Sequence, residues 1–146
     1  MRLRTRFSIT LIIAAVAFGC APQVKQDGNA VLFDGIINLY EEGVYFGGER
    51  VGSIQSREIA GGITKLIIRL SPDFVAQTGN NLALYIHAGR LEAAMLQRIG
   101  QTLGKDALLC GFASKSELNW FKIKTLLNDR IDAAQKRAAA LQMRFS

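Results

Sequence analysis

Two runs with strand patterning, RVGSIQSREI (Arg50–Ile59) and ITKLIIRL (Ile63–Leu70), stand on either side of Gly61-Gly62. The first alternates, with Val51, Ser53 and Gln55 against Gly52, Ile54 and Ser56, and the second is rich in β-branched residues. β-Branched side chains suit a pleated sheet, and glycine supplies the positive φ of a tight turn. The pair therefore reads as a hairpin with a short loop. Further strands are expected at Ala30–Phe33 (AVLF), Gly43–Phe46 (GVYF), Leu82–Ala88 (LALYIHA) and Ala107–Phe112. Ser71-Pro72-Asp73-Phe74 reads as a helical turn opened by Ser and Pro, and Thr78-Gly79-Asn80-Asn81 as a loop. Leu91–Ile99 (LEAAMLQRI) has a helical composition at a position between strands, and both readings stay open. Many short strands with frequent glycine turns predict a mainly β fold, a small barrel or sandwich.

The tail changes character. From Ser116 to Phe145 there is no Gly or Pro, and helix formers dominate. Ser116 is placed to cap, with Glu117 in the first turn, where an anion suits the helix dipole. Apolar residues fall at Trp120, Ile123, Leu127, Ile131, Ala134, Ala138, Leu141 and Phe145, in steps of three and four. That spacing makes one narrow stripe on a helix about 45 Å long at 1.5 Å per residue. A β-domain of this size does not cover such a length. The tail is thus expected to pack against copies of itself or against a partner.

At 146 residues the chain has room for one domain with one core. Its N-terminus, MRLRTRFSITLIIAAVAFGCAPQ, has three arginines, an apolar and hydroxyl stretch from Phe7 to Gly19, and then Cys20. The stretch stops short of the roughly 20 apolar residues of a transmembrane helix and reads as the h-region of a secretory signal. Ala17-Phe18-Gly19-Cys20 resembles a bacterial lipobox, which would make Cys20 the lipidated mature N-terminus. An ordinary cleaved signal and a short signal-anchor are the alternatives. With Cys20 lipidated, Cys110 in the apolar ALLCGF reads as a buried small hydrophobe. With Cys20 free, a Cys20–Cys110 disulfide becomes available.

The net charge of +6 is unevenly spread. Residues 20–114 carry eight basic and nine acidic side chains, whereas residues 115–146 carry seven and three. The basic charge is in the tail. A secreted address turns that charge toward acidic lipid headgroups or an acidic partner and away from nucleic acid.

Catalytic signatures are missing from the sequence. Gly47-Gly48-Glu49-Arg50-Val51-Gly52-Ser53 has the glycine spacing of a phosphate-binding loop, but Ser53 stands where lysine is required. Gly100-Gln101-Thr102-Leu103-Gly104-Lys105 is one residue short of that spacing and is followed by Asp106. His87 is the sole histidine, and its strand setting favours a structural imidazole over a general base. Glu41-Glu42 reads as solvated loop. A non-enzymatic protein without cofactor or metal is the expectation.

GVYFGGERVGSI (Gly43–Ile54) resembles the signature of the MCE (mammalian cell entry) domain family, bacterial lipid-transport components of the MlaD type. Gly43, Gly48, Val51, Gly52 and Ile54 occupy the signature positions. The likeness extends in order over residues 30–112, through Pro72-Asp73-Phe74, Gly89 and Gly111. It implies a small β-barrel that assembles into a ring, commonly a hexamer, passing phospholipid-like cargo and working with the permease and ATPase subunits of an ABC transporter. A Leu-Leu-Gly-type loop between late strands lines the family's pore, and Gly89-Arg90-Leu91-Glu92 aligns with it. The implied pore surface is Leu91 with Arg90 and Tyr85. Trp120, Ile123, Leu127, Ile131, Ala134, Ala138 and Leu141 would line a helical tunnel or bundle; the alternative for that stripe is a helix docked on its own barrel or on a partner. The expected organisation is a signal peptide over residues 1–19, a linker over 20–29, a barrel over 30–112 and an amphipathic helix over 115–146. Its expected address is the bacterial envelope, lipid-anchored and facing the periplasm. The alternative is a structural lipoprotein whose basic helix docks on a partner or an anionic membrane.

Overall fold

The computed structural model describes residues 28–97, 101–125 and 129–146. The signal segment and the lipidation position Cys20 lie outside the described residues, as does Leu127. In chain order the elements are β1 (Asn29–Asp34), β2 (Gly43–Phe46), β3 (Glu49–Ala60), β4 (Ile63–Leu70), α1 (Pro72–Thr78), β5 (Leu82–His87), β6 (Arg90–Met95), β7 (Leu108–Phe112), α2 (Lys115–Lys124) and α3 (Arg130–Phe145).

Three two-residue turns build the sheet. Gly47-Gly48, Gly61-Gly62 and Ala88-Gly89 all have positive φ at both positions, the requirement of the turn whose twist matches its flanking strands. They join β2 to β3, β3 to β4 and β5 to β6, each pair antiparallel. The ambiguous segment after Leu91 is thus a strand through Met95, since pairing with β5 outweighs its helical composition. The seven strands close into a barrel in the order β1-β4-β3-β2-β6-β5-β7. Closure uses three parallel pairings: β1 with β7, β5 with β7, and β2 with β6. The expected small barrel is therefore present, and its closed ring leaves no edge strand among the described residues.

Alternation along the strands sorts their side chains to two faces. Val31, Phe33, Leu66, Ile68, Leu82, Leu84, Leu91 and Leu109 share the interior cluster, and α1 adds Phe74 to it. α1 starts as the sequence suggests, with Ser71 Oγ accepting the Phe74 N–H at 3.4 Å and Pro72 in the first turn. At Gly52 a Cβ would sit 2.4 Å from the carbonyl oxygen of Arg69, so β3 and β4 approach too closely there for any side chain.

The opposite face of β1, β5 and β7 is covered by the tail. Ala83, Tyr85, Cys110 and Phe112 pack with Leu118, Ile131, Ala134 and Ala138. Leu32 and Ile63 pack with Leu141. These strands are buried on both faces, which is why they read as continuous apolar runs.

The C-terminal helix expected after the barrel is present as α3, and a shorter helix, α2, precedes it within residues 115–146. α2 ends at Lys124, with Thr125 as its C-cap, and α3 starts at Arg130. Sixteen residues make α3 about 24 Å long, short enough to lie across β7, β1 and β4. The capping residue of α2 is Ser114 rather than Ser116: its Oγ accepts the Glu117 N–H at 3.1 Å. Glu117 in turn accepts the Ala113 N–H at 3.0 Å.

Candidate functional site

The residues marked by the sequence do not converge. Leu91 is wholly buried in the barrel interior, so it cannot form a pore surface on this chain. Gly89-Arg90-Leu91-Glu92 is a tight turn running into β6, not a projecting loop. Tyr85 is on the covered outer face, where its hydroxyl donates to Glu92 Oε2 at 2.6 Å. Burial, then that carboxylate, pushes the Tyr85 phenol up to about 12. Arg90 lies 3.7 Å over the Tyr45 ring, with its Nε 3.4 Å from Glu41 Oε2. The same Glu41 oxygen accepts the Tyr45 hydroxyl at 2.7 Å. Arg90 is thus held in a surface cluster with one member of the pair read as solvated loop.

The tail stripe divides between two environments. Ile131, Ala134, Ala138 and Leu141 are buried against the chain's own barrel. Trp120 and Ile123 are 57% and 74% exposed, because Leu118 and Phe121 are the residues that α2 turns inward. The tunnel assignment is corrected accordingly: the buried four are already occupied, and the exposed two lie on another face. His87 is exposed at the hairpin end of β5, pairing with Arg90 across the turn. Cys110 is a buried thiol whose pKa burial raises to about 12, in keeping with a packing role.

A different place on the molecule has the shape of a binding site. An open groove of about 760 Å³ runs between the start of β1, the end of β4, α1 and the connection from β6 to β7. Leu70, Pro72, Val75 and Ala76 give it apolar walls, and Asn29, Arg69, Lys105 and Asp106 supply its polar lining. Its volume is within the range of small-molecule sites, about 300–1,000 Å³. Local hydrogen bonds fix its frame. Asn29 Nδ2 donates to the carbonyls of Gly104 and Ala107 at 3.0 and 3.1 Å, tying the connection to β1. Asn80 exchanges two bonds with Gln101, its N–H donating at 2.8 Å and its Oδ1 accepting at 2.7 Å.

The groove was not legible as a site in the sequence. Arg69 is one of two charges, with Lys65, in a largely apolar strand, and Lys105 closes the stretch that nearly matches a phosphate-binding loop. Their proximity depends on the pairing of β1 with both β4 and β7, which brings the ends of β4 and of the β6–β7 connection together. Arg130 was likewise missed. Its guanidinium donates to the carbonyls of Lys122 at 2.8 Å and Leu96 at 3.2 Å, clamping α2, α3 and the end of β6. No helix among the described residues is long and apolar enough to cross a membrane. No protein-family model matches the chain, and no curated protein is detectably similar to it in sequence.

Proposed function

We propose that this chain is a non-enzymatic, phospholipid-handling component of a bacterial envelope lipid-transport system. In that reading copies form a ring, associated with the permease and ATPase subunits of an ABC transporter, and Cys20 carries a lipid anchor facing the periplasm. The observation that carries the proposal is the groove, whose apolar walls suit an acyl chain while Arg69 and Lys105 suit an anionic headgroup. The closed barrel, with Gly47-Gly48 at a hairpin corner and Gly52 at a close strand crossing, is compatible with the MCE resemblance.

The cargo surface moves from the tail stripe to the groove. The connection after β6 leads through Gly104, whose carbonyl accepts from Asn29, directly to the groove residue Lys105. The complex extracted from native membranes is expected to scatter light as a ring-sized oligomer and to yield phospholipid on organic extraction. A monomer from which mass analysis recovers no lipid would overturn the reading.

A further inference from the structure

The face of α2 that points away from the barrel has an unusual composition. Leu118 and Phe121 turn inward, leaving Ser116, Asn119, Trp120 and Ile123 on the outward side. At 100° per residue, Lys115 and Lys124 flank this strip on opposite edges. Lys124 Nζ lies 4.7 Å over the Trp120 ring, so one flanking cation is gathered onto the aromatic surface. The sole acid of α2, Glu117, is paired with Arg137 and does not neutralise the flanks. Lys122 adds to the positive field with Arg130 and Lys115 nearby; burial, then those two cations, lowers its pKa.

We propose that this face is a docking surface for an anionic lipid bilayer, with Trp120 and Ile123 entering the interface and Lys115 and Lys124 meeting headgroup phosphates. Charge complementarity selects the occupant. Tryptophan settles at the headgroup level of bilayers, and lysine keeps its ammonium in water while its stem lies along apolar surface. A protein partner would find one convex helix face with two large apolar side chains, far from the area a stable protein interface needs. The inference does not depend on the groove or on lipid transport.

Trp120 is the only tryptophan of the chain, so its emission reports this face alone. The full chain is reconstituted into phosphatidylcholine vesicles and into mixed phosphatidylcholine–phosphatidylglycerol vesicles. The apolar N-terminal run can hold the protein on both, so the readout is Trp120 emission and its quenching by bromine-labelled lipid. A blue shift and quenching are expected in the mixed vesicles only, and both should weaken as salt is raised. Replacing both flanking cations (Lys115→Gln with Lys124→Gln) should lower the docked-to-undocked ratio about 30-fold. Equal emission in the two vesicle types would overturn the proposal. So would a blue shift that grows with protein concentration without vesicles, since that would mark a second copy as the occupant.

Discussion

At the residue scale, backbone geometry and burial set the sharpest demands. Gly52 faces the Arg69 carbonyl at a distance that no Cβ tolerates, so Gly52→Ala must push two paired strands apart. A loss of about 1–3 kcal/mol is expected, read from the urea midpoint. A glycine within a strand is the sequence sign of such a close backbone approach. There is no comparable sign for Asn81, a fully buried side chain whose Oδ1 accepts the Gln97 N–H at 2.6 Å. Asparagine beside a turn looks like turn chemistry until the partner strand is in place. Cys110 makes a prediction about pH. Its thiol rises from an ordinary 9.0 to about 12 in the fold, so the unfolded chain gives up this proton first. Stability is unaffected by this group below about pH 9 and falls as pH rises from there toward 12. Tyr85 acts in the same direction above its ordinary value of 10.0. Urea titrations across alkaline pH should show the decline, and Cys110→Ala should flatten its lower part.

At the scale of elements, the tail shows where periodicity misleads. Steps of three and four residues describe α3 well, since Ile131, Ala134, Ala138 and Leu141 all face the barrel. The same phase carried back to Trp120 and Ile123 fails, because the helix is interrupted after Lys124 and α2 has its own inward face. No Gly or Pro marks that interruption; Thr125 and Asp129, residue types common at helix ends, are the available signs. Docking then depends on small side chains as much as large ones. Ala138 is wholly buried, so Ala138→Asp places an unpaired carboxylate between α3 and the sheet. The expected result is release of α3, seen as fast amide exchange from Arg130 onward and a stability loss above about 3 kcal/mol.

At the scale of the molecule, strands and turns were largely readable and the site was not. Glycine pairs and β-branched runs locate the hairpins, because local conformation decides them. The groove is made by parts distant in sequence: β1, the end of β4, α1 and residues near Lys105. The antiparallel pairing of β1 with β4 and the parallel pairing of β1 with β7 set them side by side. The same arrangement explains why the tail needs no second copy to cover its buried stripe. Self-association, if it builds a ring, must therefore use surfaces other than Ile131, Ala134, Ala138 and Leu141. The groove is proposed to hold a phospholipid. The most direct test is photo-crosslinking with a phospholipid carrying a diazirine on its acyl chain, followed by peptide mapping. Adducts are expected on the segment from Ile68 to Ala76, and Ala76→Trp, which fills the groove from an exposed position of α1, should abolish them. Adducts confined to other segments, or unchanged labelling in the Ala76→Trp protein, would contradict the account.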